Sequence, residues 1–66
     1  MKITINGKAS EVEQGVTISA LLNLLEIPIA GTAVAIGNTI ISRNEHETRM
    51  LAEGERIEII RAIGGG

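Results

Sequence analysis

The chain has 66 residues, of which 44% are hydrophobic and 21% charged, with a net charge of −2; this leaves room for one domain and argues against a disordered chain. It contains no cysteine, which excludes a disulfide, a thiolate metal site and a cysteine nucleophile. It also lacks aromatic residues and any basic stripe, so it offers nothing on which a nucleic acid would stack or be neutralised.

Met1, Ile3 and Ile5 alternate with Lys2, Thr4 and Asn6, the period of a half-buried strand. Asn6-Gly7 follows, and both residues tolerate the positive φ of a type I′ hairpin turn. Lys8 to Glu13 reads as the returning, more polar strand, with Val12 its inward residue, and Gln14-Gly15 breaks it. A helix comes next. Thr17 can cap its N-terminus, and Val16 before the cap and Leu21 beyond it have the spacing of a hydrophobic staple. Ile18, Leu21, Leu22 and Leu25 fall at i, i+3, i+4 and i+7 and make one apolar stripe. Pro28 disfavours helical geometry at Ile27, so the helix is expected to stop near Glu26. Thr32 to Ile36 reads as a short apolar strand, Gly37-Asn38 as a turn, and Ile40-Ile41 as a further short strand. Arg43 to Arg49 is polar and irregular, with room for one turn of 3₁₀ helix. Glu53-Gly54 marks a turn before the last strand, Glu55 to Ala62. There Ile57 and Ile59 share the inward parity, and Glu58, Ile60 and Ala62 the outward one.

Twelve Ile, five Leu and three Val supply the core, and Ile favours strands and burial. A crossover helix after the first hairpin can bring a later strand parallel to the first. Setting Ile3 and Ile5 beside Ile57 and Ile59 then centres the most apolar strands under the helix. The reading is an α+β, ubiquitin-like β-grasp: a mixed sheet of four or five strands packed on one main helix. The domain is expected to span residues 1–62, with residues 63–66 a flexible tail.

Catalytic side chains are scarce. His46 is the only histidine, and between Glu45 and Glu47 it reads as an exposed loop residue. The eight Glu residues are scattered and read as a solvated face. Neither G-x-x-x-x-G-K-[ST] nor G-x-G-x-x-G occurs, so the chain shows no phosphate cradle of its own. Asn44, Glu45, His46 and Glu47 have no spacing that specifies a metal.

One feature remains. The sequence given ends Ile63-Gly64-Gly65-Gly66, directly after a strand. Three glycines are compatible with a frayed end or a cloning scar. They also suit a narrow channel in another protein, because a Gly carboxylate has no Cβ beside it. Four extended residues reach roughly 13 Å, at about 3.3–3.6 Å each.

A β-grasp of this length ending in Gly-Gly resembles the ThiS family, the sulfur carrier proteins of thiamine biosynthesis. The resemblance runs through Ile3-Thr4-Ile5-Asn6-Gly7, Thr17-Ile18-Ser19-Ala20-Leu21-Leu22 and Val34-Ala35-Ile36. It continues through Ile40-Ile41-Ser42-Arg43, Glu53-Gly54-Glu55-Arg56-Ile57-Glu58-Ile59 and Gly65-Gly66. Each motif is weak alone, and their order and spacing together are specific. The chain departs from the family at Gly37, where Asn is usual, and at Ser42, where Pro is common. Glu53 and Glu55 replace an Asp-Gly-Asp turn. These positions are in turns and leave the tail intact.

The resemblance implies a carrier and not an enzyme. An E1-like adenylyltransferase would bind the domain and use ATP to activate the Gly66 carboxylate, with Gly64 and Gly65 threading the partner's channel. A sulfur donor protein would then displace AMP and leave a thiocarboxylate, and a thiazole synthase would accept that sulfur. Ile60, Ala62 and Ile63 are the expected docking surface. No cofactor is expected on the chain itself, since ATP belongs to the partner. Competing readings are the small subunit of molybdopterin synthase, another sulfur carrier, a ubiquitin-like protein modifier and a non-catalytic interaction domain. No apolar run approaches the roughly 18 residues of a membrane span, and no leader precedes the first strand. The expectation is therefore a cytoplasmic protein, monomeric when free, with no membrane and no nucleic-acid partner.

Overall fold

The computed structural model describes residues 1–61, which form five strands and one helix. Strands β1 (Lys2–Ile5) and β2 (Lys8–Glu11) make an antiparallel hairpin, with Thr4 opposite Ala9 and Ile5 opposite Lys8. Asn6 and Gly7 close it with φ values of 49 and 83, the left-handed pair that a type I′ turn requires. Val12 sits just past β2, half-buried against the core.

Helix α1 (Ile18–Leu24) begins as its sequence dictates. The Thr17 hydroxyl accepts a 3.1 Å hydrogen bond from the Ala20 N–H and satisfies one donor of the first turn. The helix ends at Leu24, two residues before the expected limit, in a Schellman motif. The Glu26 N–H donates to the Asn23 carbonyl at 3.1 Å and the Ile27 N–H to the Leu22 carbonyl at 2.9 Å. Glu26 takes the left-handed position of that motif, with φ 57. Pro28 then follows in the chain, where a helix cannot continue.

Strands β3 (Thr32–Ile36), β4 (Thr39–Ile41) and β5 (Arg56–Arg61) complete one sheet in the order β2-β1-β5-β3-β4. β5 lies at its centre, parallel to β1 and antiparallel to β3. Ile5 pairs with Ile57, so the apolar strands are side by side under the helix as their alternation requires. Ile3, Ile18, Leu21, Leu22, Val34, Leu51, Ile57 and Ile59 form the core between helix and sheet. A fully buried side chain such as Leu22 contributes about 1.5–3 kcal/mol of transfer free energy relative to exposure.

The segment between β4 and β5 differs from its reading at one residue. Arg43–Glu45 forms the 3₁₀ turn, but His46 is buried, with 2% of its surface accessible. Its carbonyl accepts a 2.8 Å bond from the Ser19 N–H at the start of α1, and its ring Nε2 lies 3.3 Å from the Ile41 carbonyl. The tight turn carries the chain inward, so His46 plugs the gap between α1 and β4 while Glu45 and Glu47 stay exposed. The exposed-loop reading of His46 is corrected accordingly.

Candidate functional site

In sequence the glycine-rich segment follows directly on the end of β5. In an antiparallel pair, opposed residues alternate between hydrogen-bonded and non-hydrogen-bonded positions. The Gly37 N–H donates to the Arg56 carbonyl at 2.9 Å, which sets the main chain of Arg56, Glu58 and Ile60 toward β3. Ile57 and Ile59 then turn theirs toward β1. The Asn6 N–H meets the Ile57 carbonyl at 2.8 Å, and there β1 ends. Beyond it the Asn6 side chain takes over: its Oδ1 accepts from the Ile59 N–H at 2.7 Å and its Nδ2 donates to the Ile59 carbonyl at 3.3 Å.

On the face away from the helix, Ile60 is 54% exposed, with Ala33 opposite it on β3. Ala35 lies opposite Glu58 and also opposite Ile40 of β4, which is 64% exposed. Exposed Ala33 and nearly covered Ala35, with 6% of its surface accessible, separate the two outward isoleucines and make a shallow apolar saddle beside the end of β5. Sequence reasoning placed Ile60 there and missed Ala33, Ala35 and Ile40. The pairing of Ala35 with Ile40 across a two-residue turn was the available signal. Ala62, Ile63, Gly64, Gly65 and Gly66 lie outside the described residues.

The remaining polar groups are structural. Among the described residues one ion pair occurs, Arg49 Nη2 to Glu55 Oε2 at 2.8 Å. Partial burial acts to raise the Glu55 pKa. The hydrogen bonds from Arg49 and from the Ala52 N–H, with the Arg49 charge, outweigh it and hold the carboxyl below its ordinary value. That pair sits before the start of β5, at the end remote from the exit. Among the described residues no three His, Cys, Asp or Glu side chains gather as a metal site. The His46 ring is buried, with Nε2 3.3 Å from the Ile41 carbonyl and Nδ1 without a hydrogen-bond partner among the described residues. No described helix is long and apolar enough to cross a membrane.

The profile of the ThiS family matches residues 3–66, nearly the whole chain. The chain belongs to the ThiS family. It is 32% identical over 66 residues to the sulfur carrier protein ThiS of Escherichia coli K12, each chain covered in full. It is also 35% identical over 66 residues to a thiazole synthase of Magnetococcus marinus, covering all of this chain and 20% of that protein. The chain thus spans a fifth of the length of that relative. The crystal structure of the thiamine biosynthesis protein ThiS from Geobacter metallireducens superimposes with a TM-score of 0.85 at 26% identity, both chains covered completely. The chain therefore shares its family and its five-stranded β-grasp fold with the sulfur carrier protein ThiS.

Proposed function

We propose that the working group of this ThiS-family chain is the Gly66 carboxylate, which carries sulfur as a thiocarboxylate. A partner E1-like adenylyltransferase joins that carboxylate to AMP from ATP and releases pyrophosphate. A donor protein delivers sulfur at the sulfide level; its attack forms the C–S bond at the acyl carbon as the C–O bond to AMP breaks, and the thiocarboxylate then passes its sulfur to a thiazole synthase. The observation that carries this reading is that the family match runs on through the last glycines to residue 66. The synthase as acceptor draws support from two thiazole synthases in which a segment similar to this chain forms 20% of the polypeptide. The saddle of Ile60, Ala33, Ala35 and Ile40 is the docking surface this reading favours. It lies beside the end of β5, and apolar patches rimmed by charge suit partner contact.

The cysteine-free sequence makes the test clean. A thiocarboxylate is a soft sulfur nucleophile open to thiol-selective alkylation. Here only the weakly reactive thioethers of Met1 and Met50 compete. Incubation with the adenylyltransferase, ATP and a sulfur donor is expected to exchange one oxygen for one sulfur in the intact mass. Fragmentation after alkylation is expected to place the label on Gly66. A protein modifier would instead yield a heavier adduct on a lysine of another protein. An unlabelled chain in the presence of active partners overturns the assignment.

A further inference from the structure

We infer that Asn6 is a positioning residue for the C-terminal chemistry: its carboxamide substitutes for main chain that β1 no longer supplies, and so sets the direction in which β5 leads into residues 62–66. The inference rests on the reading of Gly66 as the reacting terminus. Ile59 turns both its N–H and its C=O toward a neighbour strand that has already reversed at Asn6-Gly7. The carboxamide supplies one acceptor and one donor to those two groups, at 2.7 and 3.3 Å. Its orientation follows from chemistry, since the flipped amide would set NH₂ against N–H and oxygen against oxygen. The arrangement reproduces the exchange of two hydrogen bonds found in a strand pair.

Its position gives the clamp a consequence for function. On the β3 side the end of β5 is held by Ala33 and Thr32, which oppose Ile60 and Arg61. On the β1 side the last attachment among the described residues is the Asn6 side chain, more than fifty residues away in sequence and bonded two residues before the end of β5. Ile60, of the apolar saddle, lies directly between that clamp and the exit. Held from both sides, the strand keeps a fixed relation between the docking face and the point where the tail begins. Held from β3 alone, it can pivot. A reaction that needs one carboxylate oriented in a partner's site is sensitive to such freedom in kcat more than in docking.

Asn6→Gly is the discriminating variant, because φ 49 suits glycine and only the carboxamide is lost. In the free protein, hydrogen exchange at the Ile59 amide is expected to accelerate by about tenfold or more, while the Thr4 and Leu25 amides keep their protection. With the cognate adenylyltransferase, kcat for adenylation is expected to fall roughly three- to tenfold with KM within about twofold. Asn6→Asp keeps the acceptor for the Ile59 N–H and loses the donor. It is expected to retain slow Ile59 exchange and an intermediate kcat. If Asn6→Gly does not fold, Asn6→Ser, too short to reach Ile59, is read by the same criteria. An unchanged Ile59 amide, or an unchanged kcat with that amide released, overturns the positioning role. A wild-type chain that its adenylyltransferase leaves unmodified overturns the carrier chemistry instead, and the exchange measurement on the free protein separates the two failures.

Discussion

Glu26 holds a left-handed backbone conformation that crowds the Cβ of an L residue, at a cost of about 1–2 kcal/mol. It does so because the Schellman bonds from Glu26 and Ile27 back to Asn23 and Leu22 require that geometry, and half-buried Ile27 packs on the core that contains Leu22. Its negative charge also stands at the negative end of the helix dipole. Glu26→Gly relieves both, against the greater freedom of glycine in the unfolded chain. The expected net gain is roughly 0.5–1 kcal/mol, or a rise of about 2–8 °C in the thermal midpoint of a domain this size. A midpoint that falls in a thermal scan would show that the cap is not strained. The same residue illustrates what sequence reading reaches at this scale. Pro28 announced where the helix had to stop, yet glycine is the usual occupant of the left-handed position, and a glutamate there gives no local sign. His46 was misread for a similar reason: its charged neighbours describe the surface of the turn, whereas its own burial is decided by α1 and β4, far off in sequence. Asn6 was legible as half of a turn and illegible as a clamp on Ile59.

The strands and the helix were legible because each obeys a period. Ile57 and Ile59 are buried and Glu58 and Ile60 exposed along β5, as strict alternation demands. The stripe of Ile18, Leu21 and Leu22 is fully buried, while Leu25, at its far end, is 43% exposed because the helix has already ended. What alternation cannot supply is the neighbour across the sheet, which is why Ile60 was placed on the outer face without Ala33, Ala35 and Ile40. The saddle makes a specific expectation. Ile60→Glu and Ile40→Glu each set a charge on an outward position, so both are expected to fold with stabilities within about 0.5 kcal/mol of the parent. Each is expected to weaken binding to the adenylyltransferase at least tenfold, because a charge at the apolar centre of an interface is buried without a partner on docking. Glu11→Gln, on the far edge strand, serves as the neutral control. Folded variants that bind as tightly as the parent would move the docking surface elsewhere.

At the scale of the whole molecule, β5 has two duties that meet without overlapping. Its inward residues, Ile57 and Ile59, close the core, and its outward end leads into the segment proposed to carry the chemistry. All eight residues of the core cluster lie between Ile3 and Ile59. Among the described residues the last pairing of the sheet is that of Arg61 with Thr32. The described sources of stability thus lie upstream of residue 62, and the proposed carrier chemistry downstream of it. Deleting Gly65 and Gly66 separates them. The truncated chain is expected to keep its thermal midpoint within about 4 °C, since every described core member and strand pairing is retained, and a surface change away from such features is worth at most about 0.5 kcal/mol. It is expected to lose adenylation completely, because the carboxylate then sits on Gly64, two residues short by roughly 7 Å of extended chain. Differential scanning calorimetry and an ATP–pyrophosphate exchange assay on one preparation measure both properties. A midpoint that drops by several degrees would place the last glycines within the folded unit, and residual exchange at the parent rate would release Gly66 from the reaction.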